Sequence, residues 1–242
     1  MLAFRMSKGF SLLECLMAMG LFAWILIICE GMFVIQQKAI ITVTDDIQRL
    51  DTVRQLLLRL DPLIRRAGFL GMQSVSSGLP ITVHGQIPNS RMPDQSITLH
   101  RANGKNWNPP LPAVLSHKVA SGTDVVIIEY ANTSFIPKSG WFVMADGLKA
   151  DIVYRDVYPT LLPGYDHYAV IASWQIIAVY MQKGDDGLEL MQKTLLPMAD
   201  AVNILTGLAS FQCEPEGGLL KVTVTYAGEP ISIWFGQDNH HS

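Results

Sequence analysis

The chain has 242 residues and a net charge of -3 at neutral pH, and its basic residues form no long run. Because nucleic-acid binding needs a concentrated positive surface, this charge pattern gives no indication of a nucleic-acid partner. Hydrophobic residues make up 49% of the chain and charged residues 16%. Roughly 200 residues outside a membrane anchor are enough to bury the core of one domain.

The N-terminus combines a short basic leader with a long apolar segment. Arg5 and Lys8 precede or adjoin Gly9, and residues 10–35 then carry no charge except Glu14 and Glu30. As a helix, these roughly 26 residues measure about 39 Å, enough to cross a bilayer core of about 30 Å. The positive charges before the span predict a cytoplasmic N-terminus and a body across the membrane, which in a bacterium is the periplasm.

The candidate processing point lies ahead of the apolar segment. An ordinary signal peptide is cleaved after its apolar core, at a small-x-small sequence. Here the basic leader ends at Gly9 and the apolar segment begins with Phe10. Cleavage between these two residues therefore leaves the anchor on the mature protein.

Glu14 is an acid inside the predicted span. A carboxylate in lipid is costly and marks a functional position with a partner to be found. Cleavage before Phe10 creates a positively charged amine one helical turn from Glu14. Two pairings follow: one within the chain, and one with the amine of a neighbouring subunit, which fixes axial register. Breaking a buried pair from one side costs roughly 3–5 kcal/mol, enough to select that register.

The helical pattern continues beyond the span. Residues 42–67 repeat apolar side chains at intervals of three and four, so one helix is predicted to run into the body. Gly31 weakens it by about 1 kcal/mol relative to alanine. Pro62 lacks an N–H group and predicts either a kink or the start of a new helix. Gly68 and Gly71 are predicted to end the helix.

The rest of the chain has strand and turn patterns. Residues 72–122 are rich in turn formers and predict an irregular excursion with short strands near 81–83 and 96–100. Strands are predicted at 124–130, 141–145, 150–156, 168–182 (broken near Trp174), 188–193, 219–226 and 231–235, with 183–187 as a hairpin loop. Residues 201–212 fit a short helix or a strand. A helix followed by strands predicts an α+β fold with an antiparallel sheet.

Candidate catalytic and metal-binding residues are few. Asp166 and His167 are adjacent, but no nucleophile in a recognisable elbow accompanies them. Asp185 and Asp186 fit a solvated glycine hairpin better than a calcium site. Asn132 begins a glycosylation sequon that chance explains in a bacterial setting. The remaining histidines have no spacing suited to zinc: His84, His100, His117, and His240 with His241. We therefore expect no catalytic residue, cofactor or metal.

The cysteines and tryptophans favour packing roles. Cys15 and Cys29 lie in the anchor and Cys213 alone lies in the body, so no disulfide forms within the body. Cys213 is expected to be a buried, small apolar residue. The tryptophans favour core or sheet packing over a carbohydrate platform, although their spacing leaves both open: Trp107, Trp141, Trp174 and Trp234.

The N-terminal motif resembles the class III signal of type IV prepilins and type II secretion pseudopilins. The matching parts are the leader ending in Gly9, the aromatic Phe10, the hydroxyl of Ser11 and the acid Glu14. The resemblance implies cleavage between Gly9 and Phe10 by prepilin peptidase, N-methylation of Phe10 and an assembly role for Glu14. Residues 64–71 also resemble the arginine-alanine-glycine-aromatic segment that closes the helix in PilW-type minor pilins.

This resemblance implies a type IV pilin-like fold, in which a long N-terminal membrane-spanning helix packs on an antiparallel β-sheet head. The implied parts are a cleaved leader (1–9), a transmembrane and filament-core helix (10–35), its amphipathic continuation (36–71) and a periplasmic β-rich head (72–242). The head is more than twice the size expected of a minimal pilin, which suits a tip or priming role.

The implied function is that of a minor pilin, not an enzyme, which primes a type IV pilus and joins its tip. Its expected location is the inner membrane, with the head in the periplasm, and then the pilus. The implied partners are other minor pilins, the major pilin, the inner-membrane platform, a tip adhesin, prepilin peptidase and inner-membrane lipid. A J-type minor pseudopilin of a type II secretion system is the close alternative. A membrane-anchored periplasmic enzyme or binding domain is the alternative of another class.

Overall fold

One helix accounts for the whole N-terminal part of the structure. Helix α1 runs without interruption over Leu12–Arg65 in a computed structural model that describes residues 12–91, 95–103, 106–165, 168–185, 187–216 and 219–236. The prediction that the apolar segment continues as one helix into the body is therefore confirmed. Gly31 lies inside this helix without interrupting it.

Pro62 does not start a new helix, which was one of the two outcomes expected there. It lies inside α1, one turn before the end at Arg65. Its missing N–H would have bonded the carbonyl of Leu58. Both Pro62 and Leu58 are exposed, so water can hydrate the carbonyl that the ring leaves without a helical partner.

Eleven strands follow in the described part of the chain. In order they are β1 (Ile81–His84), β2 (Ile97–Asn103), β3 (Asn106–Asn108), β4 (Val125–Asn132), β5 (Gly140–Ala145), β6 (Ala150–Arg155), β7 (Val170–Gly184), β8 (Gly187–Leu196), β9 (Met198–Glu216), β10 (Leu219–Tyr226) and β11 (Glu229–Gly236). A short 3-10 helix covers Val75–Ser77. The excursion predicted over residues 72–122 is confirmed, with β3 as an additional strand.

The strands form one mixed but mostly antiparallel sheet. Its main path is β1-β6-β5-β7-β8-β9-β10-β11, and β4, β2 and β3 extend it from β7. Only β1 with β6 is parallel among the described pairs. Ser173 in β7 faces Asn132 of β4 and Phe142 of β5, so these two neighbours lie on opposite edges of β7. The predicted α+β architecture is confirmed.

Two strand predictions need correction or completion. The predicted break near Trp174 is wrong, because β7 continues over 15 residues. Ala131 lies opposite Trp174 in the ladder, and its small side chain leaves space for the buried indole. The ambiguous residues 201–212 are strand, within β9. Leu208 in β9 pairs with both β8 and β10, so two neighbouring strands hold this segment extended.

Both faces of the central sheet are covered. On one face the last turns of α1 pack through Leu56, Leu60, Leu63 and Ile64. On the other face the irregular excursion packs through Leu70, Ile87 and Leu115. Strand β4 lies between these layers and is buried along nearly its whole length. A strand buried on both faces has no polar side for an unpaired charge.

The chain divides into two compact units at Asp51–Thr52, within α1. The first unit contains α1 as far as Asp51. The second contains the remaining turns of α1 and the entire sheet. The helix packing described above therefore belongs to the second unit alone.

Candidate assembly surface and buried polar groups

The first unit presents an apolar helix surface. Every described residue up to Asp51 is exposed, including large side chains such as Trp24, at 70% exposure. Exposed apolar area costs roughly 25 cal/mol per Å². This helix is long and apolar enough to cross a membrane. An apolar surface this large marks a site covered by lipid or by other proteins.

Glu14 lies in the first turn of α1 and is exposed. The acidic residue of the predicted assembly site is therefore accessible on the helix surface. The other two residues of that site, Gly9 and Phe10, lie outside the described residues. Cleavage between them and methylation of Phe10 remain predictions.

The end of α1 borders a cleft in the described part of the chain. Its volume is about 840 Å³, and it is lined by the helix end, by residues 69–77 and by residues 131–134. Arg65 on its rim pairs with Asp61 at 2.7 Å. Asn132, the sequon residue, accepts a hydrogen bond from the N–H of Ser134 at 2.9 Å. The local role of the Asn132 side chain is thus to close a turn.

Gly68 fixes how the chain leaves the helix. Its φ is +75°, and a Cβ there would lie 2.9 Å from the Cβ of Ser96. Its N–H donates to the carbonyl of Glu129 at 2.8 Å, and the N–H of Ala131 donates to the carbonyl of Phe69 at 2.7 Å. The glycine of the segment that resembles PilW-type pilins therefore lets the backbone add to β4.

A buried carboxylate on β4 was not anticipated from the sequence. Glu129 is 1% exposed and accepts hydrogen bonds from Ser90 Oγ at 2.5 Å and from the Arg91 N–H at 2.8 Å. Burial raises the pKa of Glu129, and these two donors partly oppose the rise. The sequence signal for this buried carboxylate is that Glu129 is a single acid among the apolar residues of β4. Glu129 holds the excursion against the sheet.

A second polar cluster joins β1 to β6. His84 Nε2 lies 2.7 Å from Asp151 Oδ1. The Tyr165 hydroxyl donates to Asp151 Oδ2 at 2.6 Å, and the Met144 carbonyl oxygen lies 2.9 Å from the same hydroxyl. Partial burial works against the charged carboxylate, but the hydrogen bonds from Tyr165 and His84 lower the pKa of Asp151. These contacts connect neighbouring strands with the loop that contains Tyr165, which is a structural role.

The remaining candidates occupy separate positions. Within the described ranges, no group of three or more metal-binding side chains occurs. Asp166, His167 and Asp186 lie outside those ranges. His100 is buried, and burial lowers its pKa. Cys213 is a free, fully buried cysteine, as expected. Trp174 is buried in the core, whereas Trp234 is half exposed on β11.

Comparisons with protein-family models, curated proteins and solved structures found no match. The architecture itself, a long apolar N-terminal helix whose last turns pack on an antiparallel sheet, is pilin-like. Any functional conclusion therefore rests on this architecture and on the chemistry of the N-terminal motif.

Proposed function

We propose that this chain is a minor pilin, which helps to prime a type IV pilus and is incorporated near its tip. The observation that carries this proposal is the exposed apolar surface of α1, with the carboxylate of Glu14 in its first described turn. Such a surface is suited first to lipid and then to the apolar helices of neighbouring subunits. The pilin-like architecture supports the same assignment.

The proposed mechanism is packing rather than catalysis. Prepilin peptidase cleaves between Gly9 and Phe10, and the new amine of Phe10 is N-methylated. In the membrane, Glu14 lies one helical turn from this amine. In the filament, Glu14 pairs with the amine of a neighbouring subunit. A register that separates the two groups leaves a buried charge without its partner, which costs roughly 3–5 kcal/mol. That cost fixes the axial register of subunits.

The proposed location is the inner membrane, with the head in the periplasm before the subunit is extracted into the filament. The proposed partners are other minor pilins, the major pilin, the inner-membrane platform and a tip adhesin. In this arrangement α1 supplies the common packing surface. The β-rich head supplies specificity for these partners.

Mass spectrometry of the mature protein tests the processing step. The expected N-terminal residue is methylated Phe10 in cells with active peptidase. Gly9→Val should leave residues 1–9 attached and prevent incorporation into pili. An intact Met1 terminus in the wild-type protein, or normal incorporation of the Gly9→Val variant, contradicts the proposal. Ser7→Ala is a control within the leader, and it should be processed normally.

A J-type minor pseudopilin shares this architecture and processing, so a separate experiment identifies the machine. One deletion strain is assayed both for surface pili and for protein secretion. The proposed function predicts loss of pili with normal secretion, restored by the wild-type chain. Loss of secretion with normal pili instead assigns the chain to a type II secretion system.

A further inference from the structure

Strand β11 forms a free edge of the sheet. Its eight residues pair with β10, and β11 ends the main strand path. No strand in the described part of the chain covers its other side. A free edge exposes backbone N–H and C=O groups, which can pair with another strand.

The other edges are protected in ways that β11 is not. Strands β1 and β3 have only four and three residues. Strand β10 pairs with β9 only from Leu208 onward, so the first part of β9 is also an edge. The ladder between that part and β8 contains three register shifts. In contrast, β10 and β11 pair over eight residues without any shift. Short strands and bulges discourage edge-to-edge pairing, so β11 is the edge best suited to receive a strand.

The turn before β11 determines which backbone groups are free. Ala227 and Gly228 have φ values of 51° and 84°, and this two-residue loop joins the paired residues Tyr226 and Glu229. Such a turn is closed by a hydrogen-bonded pair. Because the ladder alternates, the N–H groups of Ser232, Trp234 and Gly236 point away from β10.

The side chains of this edge suit a strand partner. Residues 231–236 carry no charge, although charges are the usual protection of an edge. Ile231 and Phe235 are buried and Ile233 is partly buried on the core side. On the opposite face Ser232 is exposed and the indole of Trp234 is 52% exposed. Tryptophan is one of the residue types enriched among the residues that contribute most to binding at interfaces.

We propose that the occupant of this edge is β11 of a second copy of the chain, paired antiparallel about a two-fold axis at Ile233. In this register Ser232 lies opposite Trp234 and Ile231 lies opposite Phe235. The free N–H and C=O groups of Ser232 and Trp234 then face each other, as the ladder requires. A small side chain lies opposite the large indole, and none of the paired residues 231–235 carries a charge.

Neighbouring registers are less favourable. A shift that places the axis at Trp234 sets two indoles directly opposite each other. A register that pairs odd-numbered with even-numbered residues is also unfavourable. It places the free N–H and C=O groups of one copy opposite backbone groups of the other copy that already bond β10. This inference goes beyond the proposed function and does not depend on it, since it needs only the geometry of the free edge.

The first test is the oligomeric state of the full chain in detergent micelles, measured by sedimentation over a range of protein concentrations. The wild type should show a reversible dimer. Ser232→Pro removes an N–H that β10 does not use, so the fold should persist while dimerisation weakens at least about tenfold. Ile233→Pro is the matched comparison, because it removes an N–H that does bond β10 and should lower the unfolding midpoint.

The second test is disulfide cross-linking in a background with Cys15→Ser and Cys29→Ser. Ile233→Cys places two thiols opposite each other across the axis and should give a covalent dimer on mild oxidation. Thr225→Cys on β10 lies away from the edge and should stay monomeric. A monomeric wild type, a dimer that Ser232→Pro leaves equally tight, or equal cross-linking of both cysteine variants overturns the proposal. A monomeric result also leaves the edge to a strand from a different protein.

Discussion

Asp124 Oδ2 accepts a hydrogen bond from the backbone N–H of Cys213 at 2.8 Å. These residues are 89 positions apart, and the bond joins the residue before β4 to the last part of β9. The N–H of Asp124 in turn donates to the carbonyl of Phe211 at 3.0 Å. Burial raises the pKa of Asp124, while the Cys213 N–H and the Arg101 guanidinium oppose the rise. This pair of bonds connects β4 and β9, which are not neighbours in the strand order.

Asp124→Ala should therefore lower the free energy of unfolding by about 1–3 kcal/mol, because it leaves the buried N–H of Cys213 without its acceptor. The measurement is denaturant unfolding of the full chain in detergent micelles. Asp200→Ala is the matched control, since Asp200 is exposed and should change the value by less than about 0.5 kcal/mol. Equal effects of the two substitutions contradict the assigned role of Asp124.

Glu129→Gln should change the pH dependence of stability. Burial raises the pKa of Glu129 in the folded state, so the ionised side chain opposes folding at neutral pH. As the pH falls through this raised pKa, the folded wild type takes up a proton that the unfolded chain does not yet bind. Wild type should therefore gain stability relative to Glu129→Gln as the pH is lowered from neutral towards the ordinary pKa of a glutamate, about 4.3. The measurement is the unfolding midpoint of both proteins across this range.

Glu129→Ala separates hydrogen bonding from ionisation. It leaves the Ser90 hydroxyl and the Arg91 N–H without their acceptor, so it should cost about 1–3 kcal/mol at every pH in that range. A stability difference between wild type and Glu129→Gln that does not vary with pH would mean that Glu129 has an ordinary pKa in the folded chain.

Leu56 and Leu58 provide a matched pair on α1. Leu56 is fully buried and Leu58 is 65% exposed. Leu56→Ala should lower the free energy of unfolding by about 2–5 kcal/mol, because it opens a cavity between α1 and the sheet. Leu58→Ala should change it by less than about 0.5 kcal/mol. The proteins are compared by denaturant unfolding, and similar losses for both would contradict the packing of α1 described here.

Glu14→Val should still insert into the membrane but should reduce surface pili by about tenfold or more, because the pair broken on one side costs roughly 3–5 kcal/mol. Pili are counted by electron microscopy, and membrane insertion is checked by fractionation. Glu30→Gln is the matched control, since Glu30 is a second exposed acid in the same helix without a proposed partner role. Wild-type pilus numbers with Glu14→Val would show that the charge pair is dispensable.

The elements that were predicted well have local causes. The continuous helix follows from an apolar segment joined to a helical repeat, and the main strands follow from β-branched and aromatic runs bounded by turn formers. The role of Glu14 stays a prediction, which rests on the cost of a carboxylate inside a membrane-spanning segment. The sequence left open whether α1 continues across Pro62, and the continuity of β7 across Trp174 was missed. Each depends on a local environment, an exposed carbonyl or a small opposite residue, that the sequence does not specify.

The sequence by itself determined a long apolar helix with one acid near its start, followed by a β-rich body, because these features are properties of neighbouring residues. Only the tertiary structure decided that β4 is covered on both faces and that Glu129 reaches Ser90. It also decided that His84 meets Asp151 and that β11 remains an open edge. These relationships join residues that are distant in the chain. Their partners are set by strand order and register, which depend on the packing of the whole domain.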